Sequence, residues 1–207
     1  MIGKGKSISH GTAALEYDLA KEIDGQTAAI EIARHELYGC TGAEMVQEMK
    51  PYHADFPNVK NNCLRFEVSP SIEESATFTD ADWAELGNDF MQRMGLANHQ
   101  YIIIRHSGTE SKKEQAHLHI LANRVSLSGE LYRDNWIGKK ATEAANAIAK
   151  ERNFVQSQDI GKVNKAEIKE AMDGVLKKMQ GFDFTKFKEE LGKRGFKVRE
   201  ARASTGK

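Results

Sequence analysis

One segment of the chain combines the alternation of a β-strand with side chains that bind metal ions. In residues 117–125, HLHILANRV, side chains alternate between two faces, so His117, His119 and Asn123 share one of them. His106 ends the preceding apolar run, YIIIR, which is typical of a strand covered on both faces. Two such strands joined by a polar connection form a hairpin. The sequence therefore predicts three imidazoles together, a set suited to a metal ion.

Length and composition are those of a soluble globular protein. The 207 residues are 40% hydrophobic and 29% charged, enough for one sizeable core and a small additional lobe. No apolar run approaches the ~20 residues that cross a bilayer, and the N-terminus lacks the apolar segment of a signal peptide. The two cysteines, Cys40 and Cys63, follow no metal spacing, which favours reduced, inert thiols in a cytoplasmic protein.

Charge is balanced over the whole chain but not along it. Residues 1–100 hold 8 of the 30 Lys and Arg and 16 of the 30 Asp and Glu, a net charge of −8, so residues 101–207 carry +8. Such asymmetry indicates either a face that meets a polyanion or two solvated faces of opposite sign. Charge alone leaves both interpretations open.

Periodicity and capping signals predict the other elements. Strands are predicted at 2–8, 63–68 and 196–198, beside the two strands of the hairpin. Helices are predicted at 12–23, 27–37, 42–50, 80–94 and 139–152, then after a cap at Asn164 and after a cap at Asp183.

The three predicted metal ligands favour chemistry on a phosphate. Neutral imidazoles bind borderline divalent ions and leave coordination positions open for substrate oxygens. Without a carboxylate ligand the ion keeps most of its charge, which suits an anionic phosphodiester. Two other interpretations stay open. One is an incidental histidine pair in a core strand, and the other is a cupin-like site, which normally adds a carboxylate that residues 120–129 lack.

Chemistry on a phosphate also needs a nucleophile, and the chain has five tyrosines. A tyrosine that attacks phosphorus forms a covalent phosphotyrosine and preserves the bond energy for reversal. Tyr17 lies about 200° around the predicted helix from Leu15, so it faces away from the core stripe, next to small alanines. It is the candidate nucleophile, with an ordinary surface tyrosine as the alternative.

Three sequence blocks resemble the motifs of one enzyme family. GKGKSISHGTAALEY, which ends at Tyr17, resembles a first motif whose tyrosine is the nucleophile. LRFEVSPSIEES resembles a second motif, a strand that ends near bound DNA. RHSGTESKKEQAHLHILANRV resembles a third motif, whose histidines hold the metal. The chain resembles the catalytic domain of a conjugative relaxase (mobilisation nuclease) of the MOBP-like type, within the HUH endonuclease superfamily.

The resemblance implies an α+β fold, with a palm-like central antiparallel sheet, packed helices and a C-terminal helical extension that closes over DNA. It implies a catalytic core at 1–152 and a basic extension at 153–207 of a longer protein. The implied activity is site- and strand-specific nicking and rejoining at a transfer origin, through a 5′-phosphotyrosyl intermediate on Tyr17. The implied partners are single-stranded or locally melted DNA, accessory mobilisation proteins and a coupling protein, in the bacterial cytoplasm and without membrane insertion.

The resemblance also implies roles for individual residues. His106, His117 and His119 are the implied ligands of Mg²⁺ or Mn²⁺, although three nitrogens also favour Co²⁺, Ni²⁺ or Zn²⁺. Glu67 is the implied carboxylate that orients a histidine or accepts the Tyr17 proton, with a surface ion pair as the alternative. The expected DNA contacts are cations and polar side chains near the second and third motifs: Arg65, Ser69, Lys112, Lys113, Asn123, Arg124, Arg133, Lys139 and Lys140.

Two departures from the family pattern concern the surroundings of the metal. Arg65 stands where relatives often carry a histidine, and the aspartate that usually follows the first metal histidine is absent. Two further functions stay open beside the relaxase. A rolling-circle replication initiator uses the same chemistry but usually places its tyrosine after the histidine pair, and a non-catalytic metal-binding DNA module would form no covalent adduct.

Overall fold

The computed structural model describes residues 1–108 and 115–199. Its strands are β1 (Ile2–Ile8), β2 (Glu22–Ile23), β3 (Gln26–Thr27), β4 (Ala29–His35), β5 (Cys63–Ser69), β6 (His99–His106) and β7 (His117–Ser126). Its helices are α1 (Gly11–Leu19), α2 (Gly42–Met49), α3 (Ile72–Ser75), α4 (Asp80–Arg93), α5 (Ile137–Glu151), α6 (Ser157–Leu176) and α7 (Phe184–Lys193). A 3-10 turn covers Lys50–His53.

Five strands form one antiparallel sheet in the order β1-β5-β7-β6-β4. The apolar strand β6 and the histidine strand β7 are both interior strands, and they pair as the predicted hairpin. Helices pack on the sheet, so the predicted α+β class with a central antiparallel sheet is confirmed. In the described part of the chain, no helix is both long enough and apolar enough to cross a membrane.

Helices α4 and α5 cover one face of the sheet. Leu118, Ile120 and Ala122 of β7 are fully buried in the larger core there, as their alternation predicts. Helix α5 approaches β1 so closely that a Cβ on Gly3 would lie 2.4 Å from the carbonyl oxygen of Ala141. Only glycine fits β1 at that point, and the contact holds the edge strand against the core.

Helices α1 and α2 cover only part of the opposite face. Leu15 of α1 and Met45 of α2 pack there against Ile102, Ile104 and Leu121 in a second apolar cluster. Beyond Leu121, the same face of β7 carries histidines instead of apolar side chains. The fold therefore leaves the histidine end of the hairpin for polar side chains.

The segment after α1 is a hairpin, so the predicted helix 12–23 is too long. Asp24 and Gly25 have φ angles of 54° and 75° and connect β2 to β3 in a two-residue turn. Asp-Gly is a strong signal for such a turn, because both central residues need positive φ. Helix α1 ends at Leu19, five residues before this dipeptide. Asp24-Gly25 was the signal in the sequence for the hairpin.

The prediction of a helix at 27–37 is wrong. These residues contain strand β4, which pairs with β6 from Ala29 to His35 and has an irregularity between Glu31 and Ala33. Alanine, glutamate and arginine favour a helix locally, but β6 offers a row of backbone groups that a neighbouring strand must satisfy. Tertiary pairing therefore overrides local propensity in this segment.

The chain divides into two compact units, Met1–Ser157 and Gln158–Lys207. In the second unit, Ala171 and Val175 of α6 pack against Phe187 and Leu191 of α7. Helix α6 begins at Ser157, so the predicted cap at Asn164 is wrong. Residues 196–198 form no strand. Instead, Phe196 and Val198 pack against the apolar cluster between α6 and α7, because that short helix pair leaves one side of its small core uncovered.

Candidate metal centre and DNA-binding site

The β6–β7 hairpin brings three histidines together. His106 is the last residue of β6 and lies directly opposite His117, the first residue of β7, while His119 follows on the same face. The ring centroids are 4.5 to 5.4 Å apart, and one nitrogen from each ring lies within 4.8 Å of the other two. The three predicted ligands therefore form one cluster.

Backbone carbonyls orient two of the three rings. His106 Nε2 lies 2.7 Å from the carbonyl oxygen of Asp18, and His117 Nδ1 lies 3.0 Å from that of Gln115. A carbonyl oxygen can only accept, so these two nitrogens carry the protons. Nδ1 of His106 and Nε2 of His117 keep their lone pairs, and Nε2 of His117 lies 3.1 Å from Nε2 of His119.

Burial disfavours the charged form of two of the three rings. Loss of solvent, together with the charge of Arg65 and the neighbouring His106, lowers the pKa of His119 to about 2. Burial also lowers the pKa of His106, although its hydrogen bond to the Asp18 carbonyl acts in the opposite direction. Metal ions bind neutral imidazole, so both rings are in the ligand form without prior loss of a proton.

The donor set fits a divalent ion. Three imidazole nitrogens converge, and two nitrogens that each bind one ion at about 2.1 Å lie no more than about 4.2 Å apart. The three nitrogens lie within 4.8 Å of one another, which exceeds that value by only about half an ångström. Rotation of the imidazole rings can close this difference. His106, His117 and His119 are thus the residues that could hold a metal ion among those the structure describes.

Asp18 lies behind this cluster, although the sequence motifs did not predict a role for it. It is buried, and Arg65 donates to both of its carboxylate oxygens, with Nε at 3.0 Å from Oδ2. Arg65 Nη2 is 3.3 Å from His119 Nδ1, and Asp18 Oδ1 is 3.9 Å from the same nitrogen. A carboxylate behind a metal-bound imidazole fixes the ring and raises its basicity. Asp18 therefore holds His106 through its backbone and faces His119 through its side chain.

A signal for Asp18 was present in the helix pattern. Residues three or four apart share a helix face, so Asp18 falls on the core stripe that Leu15 begins. A carboxylate on a buried face needs a partner, which makes it a candidate for a site. What the sequence could not reveal is that Arg65, 47 residues later, is this partner.

Tyr17 is displayed on the exposed side of α1, as predicted. Its side chain is 60% exposed, and its hydroxyl accepts a long hydrogen bond of 3.4 Å from Lys21 Nζ. The same ammonium lies 5.5 Å from the ring centroid. Asp18, the next residue along α1, contacts the histidine cluster. Because consecutive Cα atoms are ~3.8 Å apart, the backbone of Tyr17 lies beside that cluster.

A cavity of about 210 Å³ opens in front of His119, between β1 and β5. Its polar side chains are Lys4, Lys6, Arg65 and Glu67, and Glu67 lies opposite His119 in the sheet register. Glu67 Oε1 is 2.8 Å from Lys4 Nζ, so this carboxylate forms an ion pair across the two strands. Arg65 is paired with Asp18 and Lys4 with Glu67, so Lys6 leaves the cavity with a net positive charge that suits a phosphate group.

The side chains of two predicted DNA contacts, Asn123 and Arg124, form hydrogen bonds with other parts of the protein. Asn123 is fully buried, and its side chain bonds His53, Gln100, the Met49 carbonyl and the Val125 amide. Arg124 donates to Asp134 Oδ1 at 2.6 Å and to the carbonyls of Asn61 and Tyr132. Both side chains hold the far end of β7 in place. Their polar groups already have partners inside the fold, and contact of these two residues with DNA stays a prediction.

The remaining predicted contacts lie in three places. Ser69 ends β5 beside the start of β7, and its hydroxyl accepts from Gln115 Nε2 at 3.3 Å. Arg133, Lys139 and Lys140 lie around the start of α5, where Arg133 and Lys139 are exposed. Lys112 and Lys113 lie outside the described residues.

Comparison with protein families identifies the class of this site. A family model described as the MobA/VirD2-like relaxase nuclease domain matches residues 17–154, two thirds of the chain. The chain belongs to the relaxase family. The match begins at Tyr17 and includes all three histidines of the cluster. No curated protein matches the chain.

Membership of the relaxase family gives the site its general chemistry. Relaxase nuclease domains nick DNA in mobilisation, use a divalent metal ion and bind single-stranded DNA. The cluster of His106, His117 and His119 meets the metal requirement with three nitrogen donors. Family membership does not identify the nucleophile, the proton acceptor or the DNA contacts. These assignments depend on the individual residues of this chain.

We expect Asp18→Asn to weaken divalent metal binding by about 10- to 100-fold, because the neutral amide no longer offsets Arg65 beside His119. Isothermal titration with Mn²⁺ or Ni²⁺ measures the effect, and thermal unfolding checks that the nearly isosteric variant is folded. Glu22→Gln, which removes an exposed carboxylate four residues further along the chain, is the matched control. Equal metal affinity in Asp18→Asn and the wild type would remove Asp18 from the site.

Proposed function

We propose that this relaxase nicks and rejoins one DNA strand at a transfer origin through a covalent bond to Tyr17, and so initiates mobilisation of a plasmid or integrated element. The observation that carries the proposal is the position of α1. Asp18 binds His106 through its carbonyl and Arg65 through its carboxylate, and the adjacent Tyr17 presents an exposed hydroxyl. One helix thus connects the nucleophile to the metal ligands.

In the proposed reaction, Tyr17 Oη attacks the scissile phosphorus. A bond forms between Oη and phosphorus, the bond from phosphorus to the 3′ oxygen breaks, and the phenol proton leaves to a base. The released 3′ oxygen takes up a proton from solvent. The products are a 5′-phosphotyrosyl end and a 3′-hydroxyl. The number of phosphoester bonds is unchanged, so a 3′-hydroxyl can reverse the step without ATP.

The chain's own residues bind and orient the phosphate. His106, His117 and His119 are the proposed ligands of Mg²⁺ or Mn²⁺, which when bound supplies Lewis-acid stabilisation of charge on the phosphate oxygens. Lys4, Lys6 and Arg65 around the cavity favour the same negative charge. Glu67, which opens onto this cavity opposite His119, is the proposed acceptor of the Tyr17 proton.

We further propose that residues 1–152 form the catalytic core and that residues 153–207 form a basic, helical C-terminal extension. Arg65, Ser69, Lys112, Lys113, Arg133, Lys139 and Lys140 are the proposed DNA contacts. Accessory mobilisation proteins and a coupling protein are the proposed partners in the cytoplasm. These assignments rest on family membership and on the excess of positive charge in the second half of the chain.

Covalent capture tests the proposed function. The protein is mixed with Mn²⁺ and the negatively supercoiled mobilisable element of its host, and the reaction is stopped with detergent. We expect protein attached to one 5′ end, at one nucleotide of the transfer origin. An adduct at a replication origin would instead indicate a rolling-circle initiator. Metal and DNA binding without an adduct would indicate a non-catalytic module, and no affinity for single-stranded DNA would favour a small-molecule metalloenzyme.

A further inference from the structure

An exposed tryptophan occupies an unusual backbone conformation just before α5. Trp136 is 80% exposed and has a φ of 60° and a ψ of 26°, in the left-handed region that bulky residues rarely adopt. Glycine or asparagine is the ordinary residue at such a position. Neither folding nor core packing explains a large aromatic ring that is held in water at this point.

Cations flank Trp136 in the sequence on both sides. Arg133 and Lys139 are exposed, with 71% of the Lys139 side chain in solvent. Lys140 Nζ lies 5.0 Å from the ring centroid of Tyr132 and donates to the Arg133 carbonyl at 2.8 Å. Of the acidic neighbours, Asp134 is paired with Arg124, and Glu143 lies 3.7 Å from Lys139. We call Arg133, Trp136, Lys139 and Lys140 the Trp136 surface.

The Trp136 surface lies next to the strand that borders the catalytic cavity. A Cβ on Gly138 would lie 3.5 Å from the carbonyl oxygen of Gly5, so the start of α5 rests on the middle of β1. Lys4 and Lys6, on either side of Gly5, line the cavity in front of His119. Strand β1 is an edge strand, with β5 as its one partner in the sheet. Helix α5 covers the face of the sheet opposite the histidines, so a nucleic acid chain that leaves the cavity reaches Trp136 by passing around the edge strand β1.

We infer that the Trp136 surface binds the single-stranded DNA that extends from the catalytic cavity, with one base stacked on the Trp136 ring and the phosphates beside Arg133, Lys139 and Lys140. Stacking on an exposed aromatic ring next to cations is how proteins hold single strands without reading their sequence. The inference rests on the proposed function and extends it to a second contact on the same strand. The left-handed backbone directs the ring away from the core, where a base can reach it.

Equilibrium binding to fluorescein-labelled oligo(dT) tests the inference. All proteins carry Tyr17→Phe, so that no covalent adduct forms. We expect Trp136→Gly to weaken binding by about 5- to 100-fold, the usual cost of losing one stacked base. Glycine suits positive φ, so Trp136→Gly should unfold at the same temperature as its parent or higher. Trp136→Phe keeps a ring and should stay within about 3-fold of the parent.

Tyr38→Ala is the matched control for the loss of an exposed ring. Tyr38 is 76% exposed, but its hydroxyl donates to Glu36 and its amide to Glu48, so its surroundings repel phosphate. We expect its affinity for oligo(dT) to equal that of the parent. Equal losses in Tyr38→Ala and Trp136→Gly would overturn the inference, because they would show that any exposed ring contributes non-specifically.

Intrinsic fluorescence provides a second measurement. The chain has two tryptophans, and Trp83 is buried in the core between α4 and the sheet. DNA-dependent quenching should therefore come from Trp136 and disappear in Trp136→Phe, although that variant still binds. Binding without quenching, or binding that Trp136→Gly leaves unchanged, would overturn the inference and leave the proposed nicking reaction intact. An absence of all binding to single strands would overturn both.

Discussion

Replacement of Tyr17 by phenylalanine is expected to reduce the covalent protein–DNA adduct by roughly 10³-fold or more, because the variant lacks the only atom proposed to bond to phosphorus. The ring and its packing remain, so affinity for single-stranded DNA should stay within about 2-fold of the wild type. Detergent-resistant attachment of protein to the 5′ end measures the first quantity. Equilibrium binding to an unlinked oligonucleotide measures the second.

The other tyrosines provide controls for this experiment. Tyr101 is buried and donates to Asn88 Oδ1 at 3.0 Å, and Tyr132 is half-buried beneath Lys140. Tyr52 lies half-buried in the 3-10 turn, and Tyr38 is exposed among glutamates. Tyr38→Phe is the matched control, since it removes an exposed hydroxyl far from any cation-lined cavity. An adduct that persists in Tyr17→Phe would move the nucleophile to a different residue.

Replacement of His119 by alanine is expected to weaken divalent metal binding by roughly 100-fold or more, because the site loses one of three nitrogen donors. His119 is also the ligand that opens onto the cavity and contacts Arg65. Competition with a chromophoric chelator, titrated with Mn²⁺, Ni²⁺ and Zn²⁺ in turn, gives the loss for each ion. The adduct assay on the same variant then measures how much of the reaction depends on the ion.

His10→Ala is the control for histidine content. His10 is exposed at the start of α1 and lies outside the cluster of three, so its removal should leave metal affinity unchanged. If His119→Ala binds metal as tightly as His10→Ala, the cluster is not the metal centre. In that case the family's metal requirement would have to be met by other residues.

Local patterns in the sequence were sufficient for much of this site. The alternation of residues 117–125 and the apolar run before His106 predicted the hairpin, and pairing of His106 with His117 follows directly from it. The helix predicted at 80–94 is α4, which begins after the capping box of Thr79 and Asp82 and ends before Gly95, where φ is positive. The exposure of Tyr17 followed from helix geometry. Each of these features depends on residues close together in the chain.

Contacts between distant residues were not predictable in this way. Nothing in the sequence near Thr27 indicates that β6 needs a second neighbouring strand. The helix-forming residues of β4 therefore led to the wrong prediction of a helix. Asn123 and Arg124 lie on the histidine strand, yet their side chains bond partners that are up to 74 residues away in the sequence. Proximity in sequence to the histidines did not reveal these partners.

The sequence by itself determined the clustering of the three histidines, the exposure of Tyr17 and the strand that carries the cluster, because periods of two and 3.6 residues specify faces without knowledge of the fold. The tertiary structure alone decided which groups surround them. It paired Asp18 with Arg65 behind His119, and it set Trp136 beside the edge strand that borders the cavity. These pairings join residues that are tens of positions apart, and packing of helices on the sheet selects them.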